Sequence, residues 1–145
     1  MTRFIVDASV AVKWFVPEIH HEAARRLRDS SFELHVPNHF LLEFGNVAVK
    51  KTRRGEILDA AARVTVGEIR NLPIRMHSHR PFFPEAFDLA LETSTSLYDS
   101  LYLKLAMHLD GEMVTADRKY VDAISGTEYE DALLWIEDIP DRGRP

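Results

Sequence analysis

Five short apolar runs alternate with longer segments of helical spacing along this chain, and that alternation leaves few folds open. Arg3-Phe4-Ile5-Val6, Leu34-His35-Val36-Pro37, Ile74-Arg75-Met76, Met113-Val114-Thr115 and Leu133-Leu134-Trp135-Ile136 have the length and apolar character of buried strands. Between them the spacing predicts a helix from about 39 to 53, stopped by Gly55, and a second over about 56–71. A third covers 85–92, with Pro84 at its first position, where the missing N–H costs nothing. Ser96 caps a fourth that Gly111 ends, and 118–124 forms a fifth. Residues 10–15 read as one or two turns halted by Pro17, and 18–28 as a polar helix buried along Ala23, Ala24 and Leu27. Strands that alternate with helices require a mainly parallel sheet covered on both faces, so the expected class is α/β.

At 145 residues the chain suits one domain, 1–145, without repeat or linker. The tail 140–145 is expected to be loose. Cysteine is absent, which excludes disulfides and thiolate metal sites; any metal must be held by oxygen or imidazole. No stretch reaches the ~18 apolar residues of a membrane span. Asp7 and Lys13 interrupt the apolar run after Arg3 before it reaches the length of a signal-peptide core, so a cytoplasmic protein is expected. A net charge of −5 excludes coating nucleic acid by bulk electrostatics but leaves room for a local basic patch.

The acids carry the functional information. Asp7 closes the first strand and Asp117 follows Met113-Val114-Thr115-Ala116, so both fall where open parallel sheets bind ligands, at the carboxyl ends of strands. Asp99 opens a helix, and Glu43 interrupts the apolar series Phe40-Leu41-Leu42-Phe44. Gathered carboxylates repel by roughly 4 kcal/mol per pair at about 4 Å with an effective dielectric of about 20, and a divalent cation reverses that sign. Each acid alone also has a structural reading. Asp7 and Asp117 suit helix N-caps, and Ser96-Leu97-Tyr98-Asp99 matches a capping box. Glu43, Asn46 and Lys50 form a polar stripe that either is solvated or faces a pocket. Ser9 and Thr115, each two residues from a strand-end aspartate, serve either as turn residues or to orient a carboxylate.

The seven histidines show no zinc-ligand spacing and read as surface residues. The run Lys50-Lys51-Thr52-Arg53-Arg54 is a solvated helix end or, beside an acidic metal site, a phosphate track of Lys50, Lys51, Arg53 and Arg54.

Taken in order, Phe4-Ile5-Val6-Asp7-Ala8-Ser9, Leu42-Glu43 with Asn46, Tyr98-Asp99-Ser100-Leu101-Tyr102 with Ala106, and Val114-Thr115-Ala116-Asp117 resemble the PIN domain, and within it the VapC toxins of type II toxin–antitoxin systems. The resemblance spans nearly the whole chain. It implies a three-layer α/β/α fold and a Mg²⁺- or Mn²⁺-dependent endoribonuclease whose acids are Asp7, Glu43, Asp99 and Asp117, supported by Ser9, Thr115 and Asn46. It also implies an RNA substrate, a cognate antitoxin and a homodimer. Oxygen ligands suit Mg²⁺ or Mn²⁺. The minimum is one cation held chiefly by Asp7 and Asp99, with Glu43 or Asp117 serving a second. The His- and Phe-rich stretch 75–84 takes no role from the resemblance, and Asp122 is not carried over as a ligand.

Two other classes share some of these features. An aspartate-based phosphotransfer domain also uses a strand-end aspartate as nucleophile, but the dehalogenase pattern needs a second acid where Ser9 stands. A PIN-fold RNA-binding or RNA-processing protein outside a toxin–antitoxin pair keeps the fold, but need not keep all four acids.

Overall fold

The computed structural model describes residues 1–143; Arg144 and Pro145 of the expected loose tail lie outside the described residues. Strands β1 (Thr2–Val6), β2 (Phe32–Pro37), β3 (Ile74–His77), β4 (Glu112–Thr115) and β5 (Leu133–Trp135) form one sheet in the order β3-β2-β1-β4-β5. Every pairing is parallel. The chain steps outward from β1 to β3, then returns to the other side of β1 for β4 and β5. The order therefore reverses between β1 and β4, and at such a switch point the connections diverge and leave a crevice at the carboxyl ends of the strands.

Helices α1 (Ala8–Ala11), α2 (His21–Arg25), α3 (Phe40–Arg53), α4 (Asp59–Ile69), α5 (Phe83–Thr93), α6 (Leu97–His108) and α7 (Arg118–Ile124) fill the connections. Right-handed crossovers place α1 to α4 on one face and, after the reversal, α5 to α7 on the other. This is the expected α/β class in three layers. Phe4, Ile5 and Val6 of β1 and Met113 and Val114 of β4 are sealed in the core, and α6 packs across β1, β2 and β4. That contact brings the first turn of α6 to the mouth of the switch point.

Some boundaries differ from the sequence reading for local reasons. The polar helix expected over 18–28 shrinks to α2 plus a 3₁₀ turn, Arg26–Arg28, because His20 adopts a left-handed φ of 66° and Glu18 is drawn into ion pairs. The second expected helix begins only at Asp59, after Gly55 turns the chain at φ 75° and Leu58 stays extended. In the tail, the Arg142 guanidinium lies 5.1 Å from the ring centroid of Phe32, the first residue of β2.

Gly111 does not supply the left-handed turn that ends α6. Asp110 takes that conformation at φ 54°, and Gly111 is needed for its size: a Cβ there would sit 2.6 Å from the backbone oxygen of Arg3. That oxygen belongs to β1 and cannot give way cheaply. Gly111→Ala is expected to destabilise the fold by about 1–3 kcal/mol, the usual range for overpacking. Denaturant titration reads this directly, and an unchanged midpoint would show that β1 and β4 can part without penalty.

Candidate active site

Asp7 and Asp117 both follow strands and both precede helices, yet the two carboxylates do different things. Asp117 is exposed and caps α7, its Oδ1 accepting from the backbone N–H of Lys119 at 3.0 Å and of Tyr120 at 3.4 Å. Asp7 occupies the N-cap position of α1 but makes no capping bond with its side chain. It is 7% exposed, and its Oδ2 accepts from the Ser9 hydroxyl at 2.8 Å and the Thr115 hydroxyl at 3.4 Å. Thr115 Oγ1 in turn accepts the Asp117 N–H at 3.1 Å. One hydroxyl thus ties the end of β4 to the acid at the end of β1.

Burial pushes the Asp7 carboxyl up to about 7, and the negative charges of Asp99 and Glu43 add to the rise, against the pull of Ser9. Asp99, in the first turn of α6, is pushed up to about 6, by burial first and then by Asp117 and Glu43. The capping reading holds for its backbone, since the Asp99 N–H donates to Ser96 Oγ at 3.1 Å. Its carboxylate is felt by the other acids instead. The neighbouring acids thus act on both carboxyls, Asp99 and Glu43 on Asp7, and Asp117 and Glu43 on Asp99.

Glu43 lies in the first turn of α3, with one oxygen 2.8 Å from His39 Nε2 one helical turn earlier. The alignment is too poor for a hydrogen bond: Glu43 Oε1 and both His39 nitrogens are buried without hydrogen-bond partners. His39, whose side chain is only 11% exposed, packs between Tyr98 and Tyr102, with ring centroids at 5.6 and 5.0 Å. The sequence reading placed the histidines on the surface; His35, 3% exposed in β2, and His39 both depart from it, and only His39 lies at the acids. The available signal was its i, i+4 spacing to Glu43 in a helix carrying other site residues. Tyr102 and Tyr120, each three positions after an acid of the cluster, also lie against these acids, and the sequence reading did not single them out.

The remaining residues of the sequence reading divide by position. Asn46 and Lys50 are exposed on α3 beyond Glu43. Lys51 does not belong to an open basic track: its Nζ pairs with Glu18 at 2.6 Å and Glu56 at 3.3 Å, and the Glu18 bond holds its ammonium above the usual range. Arg53 and Arg54 are both exposed, and Arg53 also lines a groove of about 600 Å³ between α3 and α4, floored by Ala48, Val49, Ala62 and Val66. In the stretch 75–84, His77 Nε2 meets His35 Nδ1 at 2.8 Å, His79 meets Asn38 Oδ1 at 2.6 Å and Phe82 is buried, so these residues serve the edge of the sheet.

A hard divalent cation fits this donor set by its chemistry. The acids supply oxygen ligands, they repel one another in its absence, and a buried Glu43 oxygen makes no aligned hydrogen bond. Among the described residues, however, no three of the His, Asp or Glu side chains stand arranged around a common metal position. Cation binding would require their rotamers to converge.

A parallel sheet whose switch-point acids come from β1, α3, α6 and the end of β4 defines the class. The PIN domain family matches residues 4–125, and the chain belongs to that family. It is 30% identical to Ribonuclease VapC3 of Pyrobaculum aerophilum over 122 residues, 83% of this chain and 93% of the relative. Its fold is also that of Mycobacterium tuberculosis VapC20, described as a sarcin-ricin loop cleaving toxin (TM-score 0.63, 18% identity, 94% of this chain and 99% of the other). A toxin–antitoxin complex from Klebsiella pneumoniae is similar at TM-score 0.56 and 14% identity, over 90% of this chain and 94% of the other. The phosphotransfer alternative falls with the family match.

Proposed function

We propose that this protein is a Mg²⁺- or Mn²⁺-dependent endoribonuclease and the toxin of a toxin–antitoxin pair. The observation that carries the reading is Asp7: a nearly sealed carboxylate at the switch point, destabilised by burial and by its acidic neighbours rather than used as a cap. Relatedness to Ribonuclease VapC3 supports the choice of RNA as substrate.

In this reading Asp7 and Asp99 hold the cation, with Glu43 and Asp117 completing or extending the set. A divalent ion there would ease deprotonation of an attacking water and offset charge building on the phosphate. The chain's own residues prepare the site. Ser9 and Thr115 both engage Asp7 Oδ2, fixing the carboxylate plane and leaving Oδ1 for a ligand. Asp117, held at the rim by its cap bonds, adds negative charge beside Asp99. Asn46, Lys50 and Arg54, exposed along α3, lead from Glu43 to the helix end and suit an RNA backbone.

Cleavage of a labelled structured RNA with Mn²⁺ or Mg²⁺, with chelator, and with Asp99→Asn tests the activity. Cleavage that survives both chelator and the substitution would sink it. Sequencing the new RNA ends in expressing cells identifies the substrate. The cytoplasmic homodimer belongs to the same reading, and molar mass in solution checks the dimer.

The groove beside Arg53 supports dividing the basic cluster between two roles. Its apolar floor and its arginines, Arg53, Arg63 and Arg70, suit an acidic, amphipathic antitoxin segment. Neutralising Arg54 is expected to flatten the salt slope of RNA binding by about 0.7, the value of one phosphate contact on a single strand. Neutralising Arg53 is expected to leave that slope alone and to weaken the antitoxin. A loss of about 1.4 in the double variant, with antitoxin affinity intact, would return both arginines to the RNA track.

A further inference from the structure

We propose that Tyr102 and Tyr120 are positioning residues of this site, their buried hydroxyls serving as donors to the ionised carboxylates of Glu43 and Asp99 and so setting the affinity for the divalent cation. The inference rests on the reading of the acids as cation ligands and adds two residues that the four-acid motif does not contain.

Buried polar atoms almost always find partners. Elsewhere in this protein they do: Trp14 Nε1 donates to the Ala24 carbonyl at 2.8 Å, and the Tyr129 hydroxyl donates to Glu92 at 2.8 Å. Among the described residues, the buried side-chain atoms left without a hydrogen bond are both nitrogens of His39, Glu43 Oε1, and the hydroxyls of Tyr102 and Tyr120. All of them surround one site. Tyr102 is fully buried one turn after Asp99 on α6, against the His39 ring, and feels the charges of Asp7 and Glu43. Tyr120 is 3% exposed in the first turn of α7 and feels Asp99 and Asp7.

Burial first, and those carboxylates second, push both phenols far above their ordinary range. A phenol keeps its proton at neutral pH, so each hydroxyl can donate to an acidic neighbour. A phenol donor is of most use to an acceptor carrying full negative charge. In the metal-free protein neither phenol makes an aligned hydrogen bond, although the Tyr102 hydroxyl lies within reach of Glu43 and that of Tyr120 within reach of Ser100. A cation would draw the acids together, and the carboxylate oxygens that it does not take are those a buried phenol can fix. Groups that orient metal-ligating carboxylates in this way typically control affinity by about 10–100-fold.

The test uses the full chain with Mn²⁺ alone as probe, comparing wild type, Tyr102→Phe, Tyr120→Phe and the control Tyr129→Phe. Two quantities are read: the thermal midpoint in chelator, and the Mn²⁺ dissociation constant by calorimetry. For Tyr102→Phe and Tyr120→Phe the chelated midpoint should hold or rise, since an unpaired hydroxyl is removed, while Mn²⁺ binding weakens about tenfold. Tyr129→Phe loses a satisfied bond and should show the reverse, a lower midpoint with Mn²⁺ affinity unchanged. Wild-type-like Mn²⁺ affinity in both tyrosine variants overturns the inference and leaves the cation reading standing. Failure of the wild type itself to bind Mn²⁺ overturns both.

Discussion

Asp7→Asn is expected to abolish RNA cleavage and, in chelator above pH 7, to raise the thermal midpoint. Removing a charged side chain usually destabilises only where the charge was paired, and Asp7 is set against two other acids in a nearly sealed position. Its carboxyl titrates at about 7 in the folded chain against an ordinary 3.8. At 1.36 kcal/mol per unit, that displacement corresponds to about 4 kcal/mol of stability forfeited by the ionised form. Asparagine keeps an oxygen for the Ser9 and Thr115 hydroxyls and removes the charge, so a gain of roughly 2–4 kcal/mol is expected. For a domain of this size that is a rise of about 5–10 °C. Asp117→Ala should behave in the opposite way, because Asp117 is an exposed cap of α7; about 1 kcal/mol should be lost with its bonds to Lys119 and Tyr120. Differential scanning calorimetry on both variants separates the roles. A midpoint drop of many degrees in Asp7→Asn, in step with lost activity, would falsify the metal-ligand role and make Asp7 a structural cap.

That pair also shows what a sequence can and cannot carry. The strand-end positions of Asp7 and Asp117 are legible because β1 and β4 are short apolar runs, and the parallel order follows from alternation with helices. Which aspartate caps and which is buried is not legible. The difference arises because Thr115, 108 residues away in the chain, reaches Asp7 across the β1–β4 pairing. The Glu43 stripe was readable from helical spacing, but His39 was not, since its burial depends on α6 bringing Tyr98 and Tyr102 against it. Lys51 reads as one more charge in a basic run until Glu18, 33 residues earlier, arrives at 2.6 Å. Leu42, one of the apolar series around Glu43, is 78% exposed, because a short apolar series does not say how far round the helix the core extends. Local chemistry was visible throughout. Partners supplied by distant chain were not.

The metal-free protein is expected to lose stability as the pH rises from about 4 to about 7, and Mn²⁺ is expected to restore it. An acid whose folded pKa lies above its unfolded value binds more protons in the native state across the interval between them, so stability falls with rising pH there. For Asp7 the interval runs from 3.8 to about 7, and for Asp99 from 3.8 to about 6. The two interact, so the protons leave as a coupled pair and the slope belongs to both. His77 works the other way: burial, His35 and Arg75 depress it below its ordinary 6.5, so stability tied to it is lost as the pH falls through that value. The difference between wild type and Asp7→Asn at each pH cancels His77 and isolates the acid. It should be small near pH 4 and grow to a few kcal/mol by pH 7.5. Mn²⁺ competes with those same protons, so its stabilisation should grow with pH, reaching about 2.7 kcal/mol at about 100 times its dissociation constant. In Asp7→Asn that increment should vanish. Denaturant titrations at pH 5, 6 and 7.5, with chelator and with Mn²⁺, measure every quantity involved. A flat chelated profile would show that the acids are already relieved by contacts within the chain. A Mn²⁺ increment that persists in Asp7→Asn would place the ion elsewhere on the protein.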